Sequence, residues 1–275
     1  MPHLHVTPAP PLSRFVELLW YYENAPQLHR KERLMPDGCV GLVVNLMEDQ
    51  TRLYDPDDTS KVAKLSGCSI SGPHSRSFAI DTDEQTCVIG ISFRPAGAVP
   101  FLKFPSDELH NQHVSLDDVW GRLASELRER VLAAPTPREK LRVAEIMLLE
   151  RAAGVFDSQP VVEYAVHNFL ARPATVKIAE VTAKTGFSSR RFIELFKQHV
   201  GMPPKMFCRV RRFQSVLKNI ASGQQVRWSD LALDCGYYDQ AHFIHDFRSF
   251  SGINPVKYLN DHHGFPGHHN HLPII

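Results

Sequence analysis

Residues 228–248 read WSDLALDCGYYDQAHFIHDFR, and this stretch decides how the C-terminal part of the chain folds. A short helix runs up to Gly236, which can take the left-handed conformation needed to turn sharply between two helices. Tyr237 follows and is expected to plug the space under the turn. Asp239 can cap a second helix, in which Phe243 and Phe247 point one stripe into a core and leave the opposite stripe polar. About 50 residues earlier, residues 178–197 read IAEVTAKTGFSSRRFIELFK and repeat the plan. Gly186 ends the first helix, Phe187 is the plug, Ser188 or Ser189 the cap, and Phe192 and Phe196 the buried stripe. Each unit closes on Gly-x-x-Pro, at Gly201-Met202-Pro203-Pro204 and Gly252-Ile253-Asn254-Pro255. Two helices joined by a glycine turn, the second free on one face to enter a groove, is the helix-turn-helix design.

Outward from these units only helices are expected, over about 159–171, 176–184, 189–200, 204–221, 227–235 and 240–250, with a last turn near 255–259. Gly223 is the expected close of the long central helix. The tail from Asp261 is rich in His, Gly and Pro and is expected to be disordered.

The front of the chain reads differently. Val40–Leu46 (VGLVVNL) is a short β-branched run after the turn-like Pro36-Asp37-Gly38, and Val62–Ile70, Ser77–Ile80 and Thr86–Phe93 are further strand candidates between turn-prone clusters. A largely antiparallel barrel or sandwich follows. Leu116, Val119, Leu123, Leu127 and Val131 then recur at helical spacing, and Thr136-Pro137-Arg138-Glu139 is a capping-box start for a helix that stops at Gly154. The fold class is therefore α+β. A mainly antiparallel β domain (1–114) leads through connecting amphipathic helices (115–154) to an all-α domain with two helix-turn-helix units joined by a long helix (155–260), and a His-rich tail (261–275) follows. The connecting helices either pack on the β domain or form a dimer interface.

Composition narrows the function classes. Of 275 residues, 43% are hydrophobic and 22% charged, as in ordinary globular proteins, and no apolar run is long enough to span a membrane. Five scattered cysteines without a CxxC argue against a disulfide framework and a zinc ribbon and fit a reducing cytoplasm. Residues 1–154 carry 17 basic and 21 acidic side chains, residues 155–275 carry 14 and 9, so an anionic partner is expected only at the rear.

The duplicated plan resembles the AraC family of bacterial transcription regulators. The second unit carries the resemblance most closely, through Leu231-Ala232, Cys235-Gly236-Tyr237, Phe243, Phe247-Arg248, Gly252, Pro255 and Tyr258. The front domain, through Met35-Pro36-Asp37-Gly38-Cys39 and Phe93-Arg94-Pro95-Ala96-Gly97-Ala98, looks like an uncharacterised N-terminal domain seen in some members. The resemblance implies a sequence-specific binder of double-stranded DNA, not an enzyme and with no cofactor. Its further partners would be a small-molecule effector, a second copy of the chain and RNA polymerase.

By position, the groove-facing residues are Ser189, Arg190, Ile193, Glu194 and Lys197 in the first unit. In the second they are Gln240, Ala241, His242, His245 and Arg248. Arg190 suits guanine, Gln240 adenine, Glu194 cytosine N4, and Ile193 and Ala241 thymine methyls, although Glu194 could instead pair with Arg190. Lys197, Arg248 and the cluster Arg209, Arg211 and Arg212 suit phosphates. Arg94, at a strand-to-helix junction, is a candidate anion ligand in the front domain, with an ordinary ion pair as the alternative.

Three rival readings remain open at this point. His3, His5, His262, His263, His268, His269 and His271 would make a metal-responsive regulator. Some relatives of this DNA-binding fold act in DNA repair through reactive cysteines. A nucleoid-type binder would lack sequence preference.

Overall fold

The computed structural model describes residues 3–23, 30–154, 158–222, 227–264 and 269–274. The N-terminal part runs β1 (His3–Val6), β2 (Val16–Glu23), β3 (Lys31–Leu34), β4 (Gly41–Asn45), β5 (Gln50–Tyr54), β6 (Val62–Ser66), β7 (Cys68–Ser71), β8 (Phe78–Asp81) and β9 (Cys87–Phe93). The short helix α1 (Val99–Leu102), a 3-10 turn (Ser106–Leu109) and β10 (His113–Ser115) complete it. Next come α2 (Leu116–Trp120), α3 (Arg122–Ala133) and α4 (Pro137–Ala152), then the helical domain: α5 (Pro160–Ala171), α6 (Ile178–Thr185), α7 (Ser189–Val200), α8 (Pro204–Ala221), α9 (Trp228–Asp234), α10 (Gln240–Ser251) and α11 (Pro255–Gly264). Strand β11 (His271–Ile274) follows.

The strands form two antiparallel sheets, ordered β1-β2-β9-β4-β7-β10 and β11-β3-β8-β5-β6. The expected single strand Val62–Ile70 is two strands, because the chain crosses at Gly67 from the five-stranded sheet to the six-stranded one. The inward residues Leu42, Val44, Ile70, Ile89 and Ile91 are essentially buried, as alternation on a half-covered sheet requires.

Helices α2 to α4 share that core through Leu116, Trp120, Ala124, Leu127, Val131, Leu141, Ala144, Met147 and Leu148. They pack on the β domain, as one of the two sequence readings had it. The periodic run from Leu116 is broken at Gly121, where the backbone takes a positive φ of 58°. Thr136 caps α4 as expected, its hydroxyl accepting from the Glu139 N–H at 3.3 Å, while the Glu139 carboxylate accepts from that hydroxyl at 2.9 Å rather than from the Thr136 N–H of a full capping box.

Residues 261–264 and 269–274, the described part of the tail, are ordered, against the expectation of disorder. Residues 261–264 continue α11, and β11 pairs antiparallel with β3 over four residues, His271 with Leu34 through Ile274 with Lys31. Leu272 is buried, His271 Nδ1 lies 2.8 Å from Glu32 Oε2, and the Met35 N–H donates to the Asn270 carbonyl at 2.8 Å. The chain thus returns from the helical domain to complete a sheet of the β domain. Met35, from just beyond β3, and Leu272 both belong to the helical domain's core. Gly223, the expected end of the long helix, lies outside the described residues; α8 ends at Ala221 with Ser222 as its C-cap.

Candidate nucleic-acid interface

The two helix pairs α6–α7 and α9–α10 form as the duplicated pattern predicts. Gly186 and Gly236 take φ of 75° and 80°, a region costly for any residue with a Cβ. At Gly236 space forbids one as well, since a Cβ would lie 2.4 Å from the Ala174 carbonyl. Ser188 caps α7, accepting from the Arg191 N–H at 3.3 Å, and Asp239 caps α10, accepting from the His242 N–H at 2.7 Å. Phe192, Phe196, Phe243 and Phe247 are fully buried and continue into aromatic contacts with Phe169, Phe207, Phe213 and Tyr258.

The two turns differ in one respect. Tyr237 is buried against Phe243, whereas Phe187 is 40% exposed. The second turn is one residue longer before its cap, and the extra residue, Tyr238, is 86% exposed. The sequence reading gave both aromatics the plug role; only Tyr237 fills it. Tyr238 was not among the expected site residues; its signal in the sequence is the unequal spacing from glycine to cap.

Of the groove-facing candidates, Ser189, Arg190, Ile193, Glu194 and Lys197 are exposed on α7, and Gln240, Ala241, His245 and Arg248 on α10. Arg190, Gln240, His245 and Arg248 make no side-chain hydrogen bond or ion pair among the described residues. Glu194 pairs with Arg191 at 3.3 Å rather than with Arg190. Lys197 is held at 2.9 Å by Asp107 of the N-terminal 3-10 turn. His242 is half-buried, its ring against Tyr237 and its Nδ1 accepting from the Tyr238 N–H at 3.4 Å, so it belongs to the turn more than to the free face. A groove of about 560 Å³ opens beside α10, lined by Trp228, Gln240, Ile244, Arg248, Val256 and Lys257.

The cluster expected to hold phosphates is occupied internally. Arg209 donates to both oxygens of the buried Asp246, at 2.7 and 3.2 Å, and lies over the Phe250 ring. Those hydrogen bonds raise the Arg209 pKa further above its usual value. Arg211 donates to the Asp37 carbonyl at 3.1 Å, and Arg212 to the Gly236 carbonyl at 3.0 Å with its guanidinium over Tyr237. These three cations tie α8 to α10, to the β domain and to the second turn. An arginine on an interdomain helix reads the same in sequence whether its partner is a phosphate or a carbonyl.

Arg94, His262 and His271 also find ordinary partners. Arg94 is exposed and donates to the Ser13 carbonyl at 2.9 Å, and the helix after it has only four residues, too short for an anion-binding terminus. His262 stacks on Tyr258 and His271 meets Glu32, while His268 and the side chains of His3 and His263 lie outside the described residues. Burial pushes the thiols of Cys208 and Cys235 up to about 11 and that of Cys68 to about 12, the reverse of an activated nucleophile. No helix among the described residues is long and apolar enough to cross a membrane.

Comparison with known proteins follows the same division. Residues 4–115 match the family described as a domain of unknown function (DUF6597), and residues 170–261 match a helix-turn-helix domain family. An uncharacterised HTH-type transcriptional regulator of Haemophilus influenzae is 32% identical over 81 residues, 30% of this chain and 27% of that protein. Among solved structures, an apo form of a ToxT variant from Vibrio cholerae is similar at a TM-score of 0.46 with 13% identity, over 88% of this chain and 96% of that one. Wild-type ToxT from Vibrio cholerae bound to an unsaturated fatty acid is similar at 0.45 with 9% identity, over 88% and 93%.

Proposed function

We propose, for a chain whose C-terminal domain is a helix-turn-helix domain of the AraC type, that the whole protein is a sequence-specific transcription regulator rather than an enzyme. One observation carries the reading. Two capped helices, α7 and α10, each bury a Phe pair and turn an opposite face of largely unengaged polar side chains to solvent. In such a domain each of these helices enters a major groove, the two grooves roughly 34 Å apart along one face of the duplex.

Arg190 reads guanine through a bidentate contact, Gln240 reads adenine, and Ile193 and Ala241 touch thymine methyls, each good bidentate pair discriminating by about 1–3 kcal/mol. Lys197 and Arg248 stand at equivalent positions, nine residues after their caps, and hold phosphates, the half-exposed Lys197 in exchange for its ion pair with Asp107. Glu194, paired with Arg191, orders that cation on the helix surface. Arg209, engaged with Asp246, takes no part. The phosphate strand passes along the groove beside α10, where Arg248 and Lys257 lie. The β domain supplies regulation through a small effector or a second copy of the chain, and RNA polymerase is the downstream partner in the cytoplasm.

Selection of the full chain against a random duplex library tests the reading. Enrichment of two recurrent sequence blocks supports it, and recovery of no enriched sequence at fixed salt refutes it.

A further inference from the structure

The loop 72–77, between β7 and β8, touches the ends of both recognition helices. At one end the Pro73 ring lies against Gly201, the residue that closes α7; a Cβ there would fall 2.2 Å from Pro73 Cγ. At the other end the Ser77 N–H donates to the Phe250 carbonyl at 2.8 Å and the Ser77 hydroxyl to the Ser251 carbonyl at 3.0 Å, both at the end of α10. The last carbonyls of a helix lack partners in their own helix, and here the N-terminal domain provides them. Arg33 adds a second donor to the Ser251 carbonyl at 2.8 Å and also donates to Ser77 Oγ and Asp57. His110 Nδ1 donates to the Gly201 carbonyl at 2.8 Å, and His110 Nε2 meets Ser75 Oγ in the middle of the loop at 3.3 Å.

The loop is itself braced. His74, 6% exposed, stacks on His113 with centroids 4.2 Å apart and packs on Phe78. The Ser75 N–H donates to Asn111 Oδ1 at 2.8 Å. Five residues from Pro73 to Ser77 therefore form a short bar, pinned at its centre to the β domain and abutting the C-terminal end of each recognition helix.

We propose that this loop is a gauge that sets the separation of α7 and α10, so that the N-terminal domain determines the half-site spacing that the protein accepts, with His74, Pro73 and Ser77 as positioning residues. The inference rests on the DNA-binding reading above. Asp107 and His110 also reach the end of α7 and Arg33 the end of α10, but each of these side chains meets one recognition helix, whereas the loop meets both. The loop bends at Ser75 and Arg76, so one inserted residue lengthens it by at most the roughly 3.3–3.6 Å of extended chain, which bounds the change in the site at about one base pair of roughly 3.4 Å rise.

The test is selection of full-length variants against the random duplex library, with the distribution of spacings between the two enriched blocks as readout. One glycine inserted after the exposed Arg76 is expected to shift or spread the preferred spacing by about one base pair and to leave the bases within each block unchanged. Ser77→Ala, which keeps the backbone contact, is expected to weaken the preference for the original spacing over its neighbours about fivefold, the equivalent of one hydrogen bond. His74→Ala is expected to spread the spacing, and His74→Phe, which keeps a stacked ring, to restore it. Unchanged spacing in the insertion variant, or in Ser77→Ala should the insertion not fold, overturns the proposal and leaves α8 as the spacer. Altered bases within a block also overturn it. Failure of the wild-type chain to enrich any sequence would instead refute the DNA-binding reading itself.

Discussion

Replacing Arg209 with Met separates the two roles that this residue could have. Asp246 is 2% exposed and receives both of its short hydrogen bonds from Arg209, at 2.7 and 3.2 Å. The next side-chain nitrogen, His242 Nε2, is 3.8 Å away, beyond hydrogen-bond reach. Arg209→Met therefore leaves a buried carboxylate without a donor, a loss of about 3–5 kcal/mol. For a protein of this size that is on the order of 10 °C in Tm. The double variant Arg209→Met/Asp246→Leu removes the stranded charge and is expected to regain most of the loss, because a packed apolar pair can stand in for a buried ion pair. Thermal melts of the wild type, both single variants and the double variant close the cycle. Salt-dependent binding below the melt then reads the other role. A phosphate contact would lower the salt slope by about one; the structure predicts an unchanged slope. A variant that melts with the wild type and loses a unit of slope would refute the internal assignment.

Deleting the chain from His271 onward removes β11, exposes the surface that Leu272 covers and leaves β3 as an open edge. The expected cost is about 2 kcal/mol from the leucine alone, and hydrogen exchange at Lys31–Leu34 is expected to quicken at least tenfold; unchanged exchange would mean the strand is not paired. Acid should weaken the loop that braces the two units. Burial, and for His74 also its neighbours His113, His110 and Arg76, lowers the His74 pKa to about 2, and burial lowers that of His113 to about 4. Below the usual value of 6.5 the unfolded chain binds protons that the folded chain does not, so stability falls as pH drops. The slope approaches about 1.4 kcal/mol per unit for each ring, flattening for His113 near pH 4. Urea unfolding at pH 6.5 and 5 is expected to differ by about 3 kcal/mol from these two rings, and His74→Phe to halve that difference; an equal difference in the variant would show that His74 carries none of it.

The helical domain was legible because its signals are local. A glycine, a capping side chain and a Phe pair within twelve residues specify a turn and a buried stripe whatever else the chain does, and α7, α8 and α10 fall where their patterns place them. The second half of the β domain was legible for the same reason, through β-branched runs between turns. What escaped was set by distant partners. HLPI at residues 271–274 is four residues with no period of its own, and it becomes a strand because β3 offers an edge and the helical core offers a place for Leu272. Arg209, Arg211 and Arg212 sit on a helix that faces three neighbours, and sequence alone does not say which neighbour each meets. Pro73 and Ser77 lie more than 120 residues from the helix ends they touch, so no motif joins them.

The most direct measurement takes the duplex recovered by selection and compares it with single-base variants and a scrambled duplex, at one fixed salt concentration, for the wild type and Arg190→Ala. The wild type is expected to prefer the selected duplex over the scrambled one by about a thousandfold or more. Arg190→Ala is expected to lose about 1–3 kcal/mol at a single base pair while the other base pairs keep their discrimination. Equal binding of selected and scrambled duplexes by the wild type would refute sequence-specific recognition, and a uniform loss across all sequences in the variant would refute base reading by Arg190.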